Sequence, residues 1–356
     1  MSALGEDIAQ LIRQEGPISV ERYMALALSH PQHGYYMSRE PFGTAGDFTT
    51  APEISQMFGE LIGLWAAQAW EILGAPAPVL LVELGPGRGT LMQDALRAAR
   101  VAQHFHASLD VHLVETSPRL EAAQRERLAR GVPATWHRSI DTVPDGPAIV
   151  IANELFDALP ARQYFRARGG WRERCVGLGG DGGLTFGLAP APEPGIGVEA
   201  AEGAILEVAV AGHLLMRALA ARIASQGGAL LVLDYGHVHT GVGDTLQALR
   251  GHRFADVLEA PGMSDLTTHV DFAALARAAQ GQGLAVQGPV AQGIFLMRLG
   301  IAERAQALAR NAGDGQRADI ASALARLTQG GANMGELFKA MAVCSPATPP
   351  LPGFFA

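Results

Sequence analysis

The stretch Val79–Met92 reads VLLVELGPGRGTLM, and the rest of the chain is best read outward from it. The apolar run through Leu84 has the pattern of a strand buried on both faces. Gly85, Gly87 and Gly89 then break it, and a helical pattern follows. Such a turn brings bare backbone and helix N–H groups close to a ligand at the carboxyl ends of the strands. With 43 glycines in 356 residues, three spaced glycines alone also describe an ordinary strand-to-helix turn. Two carboxylates add to the signal. Glu115 ends the next apolar run, where it can accept both hydroxyls of a ribose, and Glu83 stands two residues before Gly85. A pyrophosphate-binding loop wants G-x-G-x-x-G, and threonine occupies position 90, where the third glycine belongs. The spacing favours S-adenosylmethionine, which has no pyrophosphate, over a dinucleotide.

Apolar runs at Val79–Leu84, Val111–Glu115, Ala148–Ala152 and Ala229–Asp234 are mostly separated by helical stretches near 90–103, 118–130 and 212–226. That alternation predicts a doubly wound parallel sheet. Asp141 closes the run Trp136–Asp141, where the third strand is expected to end. It is a candidate contact to an adenine amino group, or else a turn cap. Asn153 and Glu154 follow the next strand at the crevice edge. Residues 3–29 read as two helices parted at Gly16-Pro17, with Ser19 as N-cap of the second. A loop rich in glycine, proline and aromatics follows from His30 to Thr50, then a long helix from Ser55 to Leu73. Gly169-Gly170 and Gly179-Gly180 break short β-prone runs, which predicts an inserted antiparallel meander. After Gly300 the pattern is helical, and Pro346–Gly353 reads as an extended tail. The segments expected are a helical cap and lid over 1–75, a cofactor-binding core over 76–300 with an insertion near 160–190, and a helical segment and tail over 301–356.

Composition excludes several classes. The net charge is −8 and Lys339 is the only lysine, which argues against binding nucleic acid by neutralising phosphates. No apolar run reaches the roughly 18–20 residues of a membrane helix. The first residues carry early acids and no apolar signal core, so neither a secretory nor a transit peptide is read, and a cytoplasmic location is expected. Cys175 and Cys344 are too few for a disulfide framework or a zinc cage and read as small buried apolar residues. No histidine, cysteine and carboxylate cluster has metal-ligand spacing.

Several longer stretches carry a resemblance. Gly16-Pro17-Ile18-Ser19, His30–Tyr36, Gly46–Glu60 (GDFTTAPEISQMFGE), Val82–Thr90, Asn153–Pro160 (NELFDALP), Asp234-Tyr235-Gly236, Gly251–Phe254 and Asp265–Phe272 (DLTTHVDF) run in family order. The chain resembles the MidA-like family of S-adenosylmethionine-dependent methyltransferases, found in bacteria and mitochondria and associated with assembly of respiratory complex I. GDFTTAPEISQMFGE is the most specific match; a small departure from the family pattern is Ile294 in AQGIFLMRLG, where an acid is the family expectation. The resemblance implies an α/β fold: a Rossmann-like class I methyltransferase sheet with an N-terminal helical cap, an inserted β meander and C-terminal helices. It implies symmetric dimethylation of an arginine on a complex I subunit, and a loop and helix that cover the cofactor. Carried over by motif, Asp47, Thr49, Thr50, Ser55 and Gln56 are candidate cofactor or lid residues, beside Glu83, Gly85, Gly87, Gly89, Glu115, Asp141 and Asn153.

Chemistry suggests the acceptor side. A guanidinium is a weak nucleophile because its lone pairs are delocalised. Carboxylates that grip it localise its charge and aim one nitrogen. Glu154 and Asp157 stand three apart, on one side if a helical turn begins there. Asp157 as a turn cap is the alternative. His269 is a candidate base or orienting group, or a structural histidine. Asp234 and Tyr235 either line the acceptor pocket or close the turn at Gly236. A protein arginine methyltransferase is the expected function and a small-molecule O- or N-methyltransferase on the same scaffold the alternative, while the intact glycine loop, Glu115 and NELFDALP argue against a non-catalytic assembly factor. A complex I subunit is the expected partner, with a homodimer left open.

Overall fold

The computed structural model describes residues 2–39, 49–331 and 333–354, which fall into two compact units. One comprises Thr49–Leu155, Leu215–Val238 and Asp271–Ala356; the other comprises Met1–Phe48, Phe156–Leu214 and His239–Val270.

The first of these is built on a mixed sheet. Its strands are β1 (Val79–Leu84), β2 (Leu109–Val114), β3 (Ala134–His137), β4 (Ala148–Asn153), β5 (Gly228–His237), β6 (Ala285–Ala291) and β7 (Phe338–Cys344). In space they run β6-β7-β5-β4-β1-β2-β3. β1 lies parallel to β2 and β4, β2 to β3, and β4 to β5. β7 runs antiparallel between β5 and β6. Every residue of β1 is buried, including Glu83 within its otherwise apolar run. The order reverses between β4 and β1, which is where open α/β sheets place their ligands.

Helices α1 (Gln56–Ile72), α2 (Thr90–Ala99) and α3 (Pro118–Leu128) belong to this unit. α1 and α2 approach closely because Gly59 and Gly63 share one face of α1. A Cβ on Gly63 would stand 2.4 Å from the carbonyl oxygen of Ala95. Gly63→Ala is therefore expected to cost about 1–3 kcal/mol despite alanine's better helix propensity. The urea midpoint reads this, and an unchanged midpoint would mean the contact is not tight. The same two helices share an ion cluster: Glu60 accepts from Arg97 at 2.9 Å and from Arg304 at 2.7 and 3.0 Å. Burial alone would raise the Glu60 carboxyl, but these guanidinium bonds outweigh it and hold the carboxyl low.

The second unit packs helices Ala3–Glu15 and Val20–Ser29 with the inserted meander. Arg162–Ala167, Gly170–Leu178 and Leu184–Leu188 pair antiparallel in turn, and Ile18–Ser19 pairs with Gly170–Leu178. Leu4, Ile8, Tyr23, Met24, Val176 and Leu266 form its core. Ser19 caps the second helix by accepting the Arg22 N–H at 3.1 Å, as its position predicts.

Two local expectations are corrected. The third strand ends at His137 rather than Asp141, which sits in a 3-10 turn over Ile140–Thr142. The region after Gly300 is not helical throughout, since Phe338–Cys344 is the strand β7. Its Lys, Met and Ala residues suit a helix as well as a strand, and only pairing with β5 and β6 decides between them. The tail that follows is anchored: Leu351 is fully buried and the carbonyl of Pro352 accepts the Trp65 indole N–H at 3.1 Å.

Candidate active site

The loop after β1 has the backbone its glycines imply. Gly85, Gly87 and Gly89 have φ of 62°, 54° and 77°. The left-handed backbone at Gly85 disfavours any side chain, and a Cβ there would stand 3.0 Å from Leu155 Cδ1, which would have to shift. α2 begins immediately after Gly89, and the Glu83 carboxylate lies buried beneath its first turn, hydrogen-bonded to the Met92 N–H. Burial pushes the Glu83 carboxyl up to about 8, with the nearby Glu115 adding to the rise. Its Oε2 is buried and has no hydrogen-bond partner among the described residues. An orphaned buried oxygen beside a bare glycine loop fits a cationic, donor-bearing ligand.

Glu115 follows β2. Its Oε1 accepts the Ser117 N–H at 2.7 Å and its Oε2 accepts the Gln124 amide at 3.0 Å. Burial raises this carboxyl too, against the lowering effect of those bonds. Gln124 and Trp136 were not singled out from sequence, because their partners are distant in the chain and no local pattern marks them. Asp141 is exposed, and its carboxylate accepts the Ser139 hydroxyl at 3.0 Å within its own turn.

The segment before α1 meets the loop directly. Thr50 is buried at the start of the short helix Ala51–Ile54, and Ser55 caps α1 by accepting the Met57 N–H at 3.2 Å. Thr49 precedes this helix, Gln56 is exposed, and Asp47 lies outside the described residues. Glu53 receives the Thr90 hydroxyl and lies 3.6 Å from the Arg88 guanidinium. Glu53 sits inside the GDFTTAPEISQMFGE stretch, so the sequence does carry a signal for it.

β4 ends in Asn153, beside β1 and at the same edge of the sheet as the glycine loop. No helical turn begins at Glu154. Its φ is 50°, and the chain bends before turning at Asp157 and Ala158. The helical-face premise for Glu154 and Asp157 therefore does not hold, and the two belong to different compact units. Glu154 Oε1 accepts the Ala51 N–H at 2.9 Å and the Asn153 amide at 3.2 Å. Asp234 is fully buried and accepts the N–H groups of Leu155 and Tyr235 at 3.1 and 2.9 Å, which fixes this bend. In the other unit, the Asp157 carbonyl accepts the Thr268 N–H at 2.9 Å, and the His269 N–H reaches the Thr245 hydroxyl at 2.8 Å. There the Tyr36 hydroxyl donates to Asp265 at 2.8 Å. Burial raises that phenol well above its usual range, and the charges of Asp265 and Asp157 add to it. Tyr36 and Asp265 lie in the family-like stretches His30–Tyr36 and Asp265–Phe272, but no local pattern in either marks their pairing. Both cysteines are buried, and no metal-binding group occurs among the described residues.

Strand order, glycine loop and post-strand carboxylate define an S-adenosylmethionine-binding methyltransferase fold, and comparison with known proteins agrees. Residues 61–290 match a family of S-adenosyl-L-methionine-dependent methyltransferases, and the chain belongs to that family. It is 38% identical to the mitochondrial protein arginine methyltransferase NDUFAF7 of Danio rerio, over 96% of this chain and 86% of that one. It is 39% identical to the Mus musculus protein of the same name, over 85% and 75%. A Burkholderia thailandensis structure bound to S-adenosyl-homocysteine superposes with a TM-score of 0.87 at 28% identity, covering 99% of this chain and 94% of that one. The protein is thus a methyltransferase that uses S-adenosylmethionine. The cytoplasmic expectation is corrected, because the relatives carry a mitochondrial label. No described helix is long and apolar enough to cross a membrane.

Proposed function

We propose that this methyltransferase dimethylates an arginine symmetrically on a subunit of respiratory complex I during its assembly. The reading draws its substrate class from the arginine methyltransferase relatives and its partner from the motif resemblance. One observation carries the acceptor side: Glu154 stands at the end of β4, beside the glycine-loop strand, in a bend held by Asp234.

Bound S-adenosylmethionine supplies an electrophilic methyl group on a sulfonium. Gly85, Gly87 and Gly89 give close backbone approach, Glu83 faces the cationic end, and Glu115 accepts the ribose hydroxyls. Thr49, Thr50, Ser55 and Gln56 belong to the covering segment, and Asn153 and Asp141 to the rim. Glu154 grips the acceptor guanidinium, aims one nitrogen and takes its proton.

Glu154→Gln tests the acceptor role, because the amide oxygen can still accept the Ala51 N–H. Methyl transfer is expected to fall by about 100-fold or more, with S-adenosylhomocysteine affinity held. Equal losses in both would put Glu154 in the cofactor site instead. Acid hydrolysis of the methylated protein should release symmetric dimethylarginine.

A further inference from the structure

Gln124 is fully buried on α3, and every polar group of its side chain is used. Its Nε2 donates to the Gly87 carbonyl at 2.7 Å and to Glu115 Oε2 at 3.0 Å. Its Oε1 accepts the Trp136 indole N–H at 2.9 Å. An indole N–H only donates, so the amide cannot be flipped, and its two hydrogens must face the loop carbonyl and the carboxylate. The glycine loop also rests on this side chain, since a Cβ on Gly89 would touch Gln124 Cγ at 3.4 Å. Trp136 is held from its other side: the Arg125 guanidinium lies 4.1 Å from its ring centre and is bonded to Glu121 at 2.8 Å. Arg138, after β3, pairs with the same Glu121 at 2.9 Å.

We propose that Gln124 is a positioning residue for the cofactor, locking the glycine loop and the Glu115 carboxylate in register with each other. It touches no reacting atom. Of common side chains only an amide of this length supplies two donors and one acceptor here, so the position links β1, β2 and β3 through one group. The inference rests on the reading that the loop and Glu115 hold the nucleoside.

Gln124→Glu keeps the shape but sets a carboxylate against Glu115 and the Gly87 carbonyl. The other ionisable groups around it are Glu83 beyond Glu115, and Glu121, Arg125 and Arg138 around Trp136. When protonated, the new side chain restores one donor; when ionised, it repels Glu115. Calorimetric titration with S-adenosylhomocysteine should therefore show the variant within about threefold of wild type near about pH 6, and weaker by about 30-fold or more near about pH 8.5. Gln124→Met should bind about 30-fold more weakly with no added pH slope. At saturating S-adenosylmethionine its kcat should stay within about threefold of wild type. Variants that match wild type at both pH values would overturn the proposal. A Gln124→Glu protein equally weakened at both would overturn it too, since position 124 would then act only through folding. Wild-type protein that fails to bind S-adenosylhomocysteine would instead refute the reading of the site itself, a separate outcome.

Discussion

Glutamine in place of Glu83 is expected to stabilise the cofactor-free protein at neutral pH while weakening its hold on the cofactor. The folded carboxyl titrates at about 8 against an ordinary 4.5, chiefly because burial disfavours its charge. Between those values the folded protein carries a proton that the unfolded chain has released. Stability is therefore highest below the unfolded value and declines as pH rises towards the folded one. At about 1.36 kcal/mol per pH unit, the loss is on the order of 3 kcal/mol at neutral pH. Glu83→Gln removes it, so the stability gap between variant and wild type should be under about 1 kcal/mol near about pH 5 and on the order of 4 kcal/mol near about pH 8. Urea denaturation at the two pH values measures the gap. A gap of equal size at both would show that Glu83 is ionised in the fold. The same substitution removes the group that a bound cation would draw into its ionised form, an exchange of stability for function often met at binding sites.

Alanine at Glu115 should have the largest effect on binding. The carboxylate holds Ser117 and Gln124, and on the proposed assignment it also takes both ribose hydroxyls. Hydrogen bonds to a charged group contribute about 1.5–3 kcal/mol each, so losing two weakens S-adenosylhomocysteine binding by about two to four orders of magnitude. Stability should fall as well, by about 2 kcal/mol, because the buried Ser117 N–H and Gln124 amide lose their acceptor. Calorimetry on the folded variant separates the two effects. Affinity within about threefold of wild type would remove Glu115 from the cofactor site.

Features with a local signature were legible in the sequence. Val79–Leu84 is a strand because a run apolar at every position but Glu83 suits burial on both faces, and Gly89, with its left-handed backbone, is the N-cap of α2. The meander announced itself through its glycine pairs, and Ser19 through its capping position. Features set by distant partners were not legible. β7 is a strand because β5 and β6 flank it, although its own residues suit a helix. Gln124 matters because Gly87, Glu115 and Trp136 converge on it from three places in the chain. The bend at Glu154 depends on Asp234, far along the sequence, and without that acceptor the spacing of Glu154 and Asp157 looked helical. Glu53 differs from these. It lay in the most distinctive stretch of the chain, and its link to Arg88 and Thr90 required only the recognition that this stretch reaches the glycine loop.

The proposed reaction is tested most directly by following a labelled methyl group. Purified protein is incubated with methyl-labelled S-adenosylmethionine and extract from cells lacking this gene, and proteins are then separated from small molecules. Label in one protein band of complex I subunit size, mapped to an arginine, is the expected result. Label confined to the small-molecule fraction would contradict the arginine assignment and make this chain a small-molecule methyltransferase.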